Sequence, residues 1–213
     1  MIEDNTLLKK YFPNLNEQQL ALFSAHQELF NSWNEKVNLV SRKDVEHLMI
    51  KHIIHSLSIT KYIRFDEGAR VLDIGTGGGF PGIPLAIFYP NVNFTLVDSI
   101  EKKIKVVEDI VQQLNLKNVA VIRSRAEELK QEFDYIVSRA VAPMEVLVRW
   151  SINRCKMGQN GSLPNGWVVL KGGDLKEELM AYKKIAEIQS LYDYFPLEFF
   201  ETKSIVYIPR QSL

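Results

Sequence analysis

The chain of 213 residues has one cysteine, Cys155, so it can form neither an internal disulfide nor a cysteine-based zinc site. That scarcity suits a reducing compartment. It also lacks any charge excess: lysine plus arginine number 26, and so do aspartate plus glutamate. A neutral total excludes a strongly basic chain, so any nucleic-acid partner must be met by local charge. No apolar run approaches the ~20 residues of a membrane-spanning helix, and no membrane role is expected. The acidic start Met1-Ile2-Glu3-Asp4-Asn5 lacks the basic-then-apolar order of a secretory signal, so the cytoplasm is the expected location. Repeats, low-complexity tracts and linkers are also missing. What is present is ordinary for a globular protein: 46% hydrophobic and 24% charged residues, well away from disorder. The length fits one large domain, or one domain with a small appendage.

Residues 1–66 read as a helical N-terminal extension. Asn16 can cap a helix with Gln19 as reciprocal partner, and Leu20, Phe23 and Phe30 form an apolar stripe at helical spacing. A second helical pattern runs over 44–63. From residue 67 the character changes to alternating strands and helices. Strands are expected at 70–74, 93–98, 118–122, 133–138 and 166–171, with helices at 84–88, 101–114, 144–154 and 175–188. Two further strand-like runs, 194–201 and 203–208, should pair antiparallel. Such alternation predicts an α/β fold, a parallel sheet with helices on both faces, occupying 67–213.

Five of the 11 glycines fall in Asp73-Ile74-Gly75-Thr76-Gly77-Gly78-Gly79-Phe80-Pro81-Gly82, between the first strand and a helix. Glycines there permit a sharp turn and close approach of a ligand to the backbone. The dinucleotide pattern G-x-G-x-x-G, started at Gly75, meets Phe80 where its third glycine would be; started at Gly77 it matches formally through Gly79 and Gly82, but Pro81 interrupts it and the strand has already ended, so the match is weak. Asp73, just before the loop, would repel a pyrophosphate and favour a cationic cofactor such as S-adenosylmethionine. Asp98 ends the second strand, where an acid can accept both hydroxyls of a ribose; alone, it would equally suit a cap for the helix near Glu101. Arg125-Ala126-Glu127-Glu128 follows the third strand and can read an adenine edge or simply form a solvated helical turn.

Together these residues resemble the RsmG/GidB family of small-subunit rRNA methyltransferases. The resemblance is carried by Val71 to Ala86, above all its Phe80-Pro81-Gly82-Ile83-Pro84. Other matching segments are Trp33-Asn34-x-x-Val37-Asn38-Leu39, Leu96-Val97-Asp98-Ser99-x-x-Lys102-Lys103, Arg125-Ala126-Glu127, Ser138-Arg139-Ala140-Val141-Ala142 and Leu170-Lys171-Gly172. It covers roughly residues 11–175 and implies a class I S-adenosylmethionine-dependent methyltransferase fold. Seven strands are implied, the last antiparallel, behind the helical extension. The implied reaction is methylation of guanosine N7 in the 530 loop of 16S rRNA, on the free rRNA or the small ribosomal subunit. Gly75, Phe80, Ala126, Glu127 and Arg139 match the family's cofactor contacts, while Asp73, Gly77, Gly79 and Asp98 fill the general class I roles. His55-Ser56-Leu57 departs from the family's usual Asp-Ser-Leu, and Lys156 to Asn165 is longer than its usual turn before the fifth strand.

Guanine N7 bears an in-plane lone pair and no proton, so its methylation needs alignment rather than a general base. The sequence shows no nucleophile–base pair. His26, His47, His52 and His55 all lie in the helical part and lack the further ligands a metal site needs, so no metal is expected. Arg139, at the end of the fourth strand, is a candidate for positioning the cofactor, the guanine or a phosphate. Residues 135–173 carry a net +4, from Arg139, Arg149, Arg154, Lys156 and Lys171 against Glu145. With Arg123 and Arg125 just upstream, these are the candidate RNA contacts. Trp33, Phe80 and Trp150 are candidates to stack a flipped base. No obligate protein partner is evident. The alternatives are a methyltransferase acting on another RNA, a small molecule or a protein, a nicotinamide-dependent oxidoreductase, and a noncatalytic RNA-binding module.

Overall fold

Asn16 opens the first long helix through a reciprocal capping box. Its side chain accepts from the Gln19 amide at 2.8 Å, and the Gln19 side chain accepts from the Asn16 amide at 3.1 Å. The computed structural model describes residues 5–213, apart from the side chains of Arg42 and Lys43; the acidic stretch Met1–Asp4 lies outside them. A short α1 (Thr6–Tyr11) precedes the capped helix α2 (Glu17–Val37), which buries Leu20, Phe23 and Phe30. It stops where Asn38 turns left-handed, at φ 50°.

The single helix expected over 44–63 is broken into pieces. They are α3 (Arg42–Val45), a π-helical turn (Met49–Ile54), α4 (His55–Leu57) and α5 (Ile59–Tyr62). Hydroxyls act on this stretch: Ser56, Ser58 and Thr60 donate to the carbonyls of His52, His55 and Leu57 at 2.6, 2.6 and 2.8 Å. Such back-bonding is usual for Ser and Thr within helices, and the Ser58 amide still reaches Ile54 O at 2.9 Å.

Strands and helices then alternate: β1 (Arg70–Ile74), α6 (Gly82–Phe88), β2 (Asn93–Asp98), α7 (Glu101–Gln113), β3 (Val119–Arg123), β4 (Tyr135–Arg139), α8 (Met144–Ser151), β5 (Gly166–Gly172), β6 (Glu187–Ser190) and β7 (Lys203–Pro209). They form one sheet in the order β3-β2-β1-β4-β5-β7-β6. β1 to β5 run parallel to one another, and β7 runs antiparallel to both β5 and β6.

Two calculations from the sequence fail at the C-terminal end. The stretch 175–188 holds turns and one 3-10 turn (Met180–Tyr182) before β6, not a helix. Leu175, Leu179 and Tyr182 do bury together at helical spacing, but Glu178 is drawn into an ion pair with Lys171 and the chain tightens to i→i+3 bonds. The stretch 194–201 is not a strand either. Pro196 offers no amide to a ladder, and Phe195 and Phe200 pack on each other at 4.9 Å and, through Phe195, on Tyr11 at 5.0 Å. β6 takes its place as the hairpin partner of β7.

Strand alternation divides the core in two. Val71, Phe94, Leu96, Val137 and Leu170 face α2, α6 and the π-helical turn, in the same cluster as Phe30, Ile53 and Leu57. Leu72, Ile74, Ile136, Trp167 and Val169 face α8 and residues 175–182. The N-terminal helices therefore share the sheet's core rather than building one of their own. The long loop 156–165 closes the edge formed by the strands' N-terminal ends. Asp134 accepts there from the Arg70 amide at 2.8 Å and from the Asn160 side chain at 3.1 Å.

Candidate functional site

The opposite edge, at the C-terminal ends of β1 to β4, opens into a cleft of about 610 Å³. This is where a parallel α/β sheet presents its loops to ligands. The glycine loop forms its floor. The Thr76 amide is fastened to Val97 O at 2.9 Å, and the amides of Gly79 and Phe80 both return to Thr76 O at 2.9 Å. Gly75 and Gly77 adopt φ of 67° and 59°, a region costly for side chains with a Cβ. At Gly77 a Cβ would meet no atom closer than Gly75 O at 3.9 Å, so packing leaves the space over that residue free. At Gly78 a Cβ would strike Phe30 Cε2 at 2.7 Å, because α2 packs directly on the loop.

Asp98 lines the cleft at 8% exposure. One carboxylate oxygen accepts from the Gly77 amide at 3.1 Å, and the other accepts from the Ile100 amide at 2.9 Å. Lys103 sits 3.7 Å away and also lines the cleft. The acid thus ties the glycine loop to the start of α7 while leaving acceptor capacity for a ligand. Ala126 and Glu127, on a 3-10 turn (Ala126–Glu128) after β3, form the next wall, with Arg125 beside them.

Asp73 is placed differently from expectation. It is wholly buried and does not line the cleft. One residue before the strand end, alternation turns it onto the α6 face, where its Oδ2 accepts from the Gly82 amide at 2.9 Å. Burial pushes its carboxyl up to about 7, against the pull of Thr76, the Gly82 amide and the Arg139 charge. Neither Asp73 Oδ1 nor Thr76 Oγ1 has a hydrogen bond of good geometry. Asp73 therefore holds the loop from behind instead of meeting a ligand. Gly79 is also outside the lining: its backbone turns the chain at φ 96° against Ile83, which a Cβ would meet at 2.4 Å.

Phe80 contributes to the cleft wall but is only 3% exposed. Its ring is enclosed by Phe30 at 5.1 Å, His52 at 5.1 Å, His26 at 5.4 Å and the Arg139 guanidinium at 5.0 Å. No face is left to stack a base, so that expectation is withdrawn. Arg139 lines the cleft and donates from Nη1 to Lys51 O at 3.1 Å, with Nη2 2.9 Å from His52 Nδ1. Burial brings its guanidinium down to about 10, partly offset by the charge of Asp73. Burial and then the Arg139 charge hold His52 down at about 3, and burial alone does the same to His26. These histidines are neutral, and among the described residues no group of histidines, cysteines and carboxylates could hold a metal.

The basic candidates do not form one patch. Arg125 is exposed at the cleft, and Arg149 is exposed on α8 next to Trp150, which lines it. Arg123 pairs with Glu101 at 2.9 Å. Lys171 is no surface cation: only 8% exposed, it pairs with Glu178 and donates to Ala142 O, both at 2.6 Å. Arg154 and Lys156 lie at the wrong edge of the sheet, where the Lys156 amide donates to Phe133 O at 2.9 Å, before β4 begins. Trp33 donates to Asp109 at 2.7 Å and is not among the residues that line the cleft. Leu39 and Val40 are cleft residues the sequence reading missed. Their signal was Asn34, whose side chain brackets Val40, accepting from its amide at 2.8 Å and donating to its carbonyl at 3.2 Å.

A sheet with a single reversed strand in next-to-last position, and a ligand cleft at the carboxyl ends of its parallel strands, defines the class I S-adenosylmethionine-dependent methyltransferases. A solved structure described as a SAM dependent methyltransferase from Aquifex aeolicus shares this fold, with a TM-score of 0.56 at 16% identity over 79% of this chain and 98% of that one. Within the class, the chain belongs to the GidB family, rRNA small subunit methyltransferase G, whose model matches residues 19–206. It is 51% identical to the ribosomal RNA small subunit methyltransferase G of Christiangramia forsetii, covering 96% of this chain and 97% of that protein. It is 48% identical to that of Bacteroides fragilis, covering 95% and 98%.

Proposed function

We propose that the protein transfers a methyl group from S-adenosylmethionine to N7 of a guanosine in the 530 loop of 16S rRNA, in the cytoplasm. The observation that carries this is the cleft itself in a chain of this family: Gly77 with open space above a left-handed backbone, next to an acid with acceptor capacity. Gly77 would let the cofactor lie against the backbone, with Gly75 lining the cleft beside it. Asp98 would accept the ribose hydroxyls, and Ala126 with Glu127 would border the adenine. Arg139 and the edge of Phe80 would flank the methionine end. The cofactor, when bound, supplies an electrophilic methyl group.

Each residue then has a binding task rather than a proton to move. A guanine N7 would take the methyl group as its bond to the cofactor's sulfur breaks, the electron pair staying on sulfur, and N7 has no proton to lose, so alignment is the main demand on the chain's residues. This fits a cleft whose acid braces backbone amides while keeping acceptor capacity, and whose neighbouring His52 turns its Nδ1 to Arg139 at 2.9 Å. Arg139 would be an unfavourable neighbour for a ring turning cationic, which favours a place beside the cofactor. Arg125 and Arg149 are the basic residues best placed for rRNA phosphates. In this reading residues 1–66 are an appended segment and 67–213 the methyltransferase unit.

The test of the N7 assignment is chemical. Transcribed 16S rRNA containing 7-deazaguanosine, whose ring has carbon in place of N7, should accept no methyl group, while the guanosine transcript should accept one. Equal transfer to both would place the methyl elsewhere.

A further inference from the structure

Arg139 is held from outside the sheet that carries it. Both of its hydrogen bonds run to the π-helical turn of the N-terminal extension: Nη1 to Lys51 O at 3.1 Å and Nη2 to His52 Nδ1 at 2.9 Å. That turn is widened, with the His55 amide reaching back to Ile50 O. A widened turn offsets consecutive residues from the regular helical positions, and such turns recur at functional sites. Here it presents a carbonyl and the next residue's ring to one guanidinium. The Phe80 ring lies against the assembly, 5.0 Å from Arg139 Cζ and 5.1 Å from the His52 ring.

We propose that His52 is a positioning residue: its Nδ1, accepting from Arg139, fixes the guanidinium at the cleft wall, so that the N-terminal extension sets how Arg139 meets the cofactor or target base. The proposal rests on Arg139 having the role given above. Arginine has five N–H donors in a rigid fork, and anchoring two of them to the extension aims the others. An arginine anchored only by its own strand would keep its side-chain torsions free and would lose entropy on meeting its ligand. For Nδ1 to accept, the imidazole must be neutral with its proton on Nε2. Burial and the Arg139 charge both favour the neutral ring.

Three variants in the full chain separate the possibilities: His52→Leu keeps volume without an acceptor, His52→Asn places an amide oxygen near the Nδ1 position, and Arg139→Ala removes the donor. Each is measured for thermal unfolding, for S-adenosylmethionine affinity by calorimetry, and for kcat and KM of methyl transfer to small ribosomal subunits lacking the modification. His52→Leu should lower cofactor affinity or kcat by about ten- to a hundredfold, the scale of a lost hydrogen bond to a charged group. His52→Asn should recover to within a few-fold of the native protein. Should Arg139→Ala leave affinity and transfer unchanged, the role assigned to Arg139 fails. Should Arg139→Ala be impaired while His52→Leu behaves as native, or His52→Asn be as impaired as His52→Leu, the positioning role fails. A measurement on the native fold stands apart from the stability of any variant: nitrogen-15 shifts of His52 should report a neutral ring protonated on Nε2. A ring protonated on Nδ1 would overturn the proposal.

Discussion

Single side chains carry most of the cleft's chemistry, and Asp98 is the clearest case. It lines the cleft while bracing the loop, through the Gly77 and Ile100 amides. Asp98→Ala removes an ionised acceptor from both jobs and should weaken S-adenosylmethionine binding by about tenfold or more. Calorimetry checks this, and unchanged affinity would end the ribose assignment. Gly77→Val combines a left-handed φ of 59° with a side chain in space that is now open, so it should abolish cofactor binding while far-ultraviolet circular dichroism stays native. At this scale the sequence was legible where backbone shape decides which residues line the cleft. A glycine loop after a strand and an acid at the next strand end needed no coordinates. It was less legible where the direction of a side chain decides its role. Asp73 and Ile74 are adjacent, yet the pleat sends Asp73 beneath α6 and leaves Ile74 at the cleft. Lys171 looked like a phosphate contact and is the partner of Glu178. Lys171→Ala should accordingly lower stability by about 2 kcal/mol, the penalty for stranding a partly buried partner, and leave rRNA affinity unchanged. Urea unfolding and a filter-binding titration would show it.

Elements whose patterns are local came through intact. The capping box of α2, the β1 to β5 strands and α7 fall within two residues of where periodicity places them. The misses share a cause: tertiary contacts outweighed local pattern. The 175–188 stretch has the apolar spacing of a helix, but β6 is needed there to pair with β7, and Phe195 and Phe200 are needed in the core. The connection after α2 belongs to the site for a similar reason. Asn34 brackets Val40 and thereby fixes a piece of the N-terminal segment against the glycine loop. Asn34→Ala frees that piece at a cost of about 1–3 kcal/mol, since it strands a buried amide and carbonyl. The same unfolding assay reads the loss.

For the whole molecule, the buried titratable groups set how stability responds to acid. His26 and His52 stay neutral down to about 3 and His55 is held well below its ordinary value, all through burial. Unfolding releases these rings to bind protons below about 6.5. Asp73 acts in the opposite sense, binding its proton in the folded state up to about 7 because it is buried. Near pH 5 the histidines outweigh it, and unfolding takes up about two protons, a slope of about 2.7 kcal/mol per pH unit. Stability should therefore fall as pH drops from about 6.5 toward 4; urea midpoints that stay level between pH 7.5 and 5 would contradict the buried neutral histidines. With zero net charge, the proposed rRNA binding would depend on a few exposed cations, Arg125 and Arg149 foremost. Affinity should fall with salt, with a shallow slope that lessens further in Arg125→Ala. A salt slope that Arg125→Ala leaves unaltered would remove that residue from the interface.

The most direct test of the account is a labelled-methyl transfer assay with S-adenosylmethionine on 16S rRNA and small ribosomal subunits lacking the modification, followed by mass spectrometry of the nucleosides. The account predicts N7-methylguanosine at one site, lying in the 530 loop. A protein that binds S-adenosylmethionine but methylates neither RNA would contradict the rRNA assignment, and would point the same cleft toward another RNA, a small molecule or a protein.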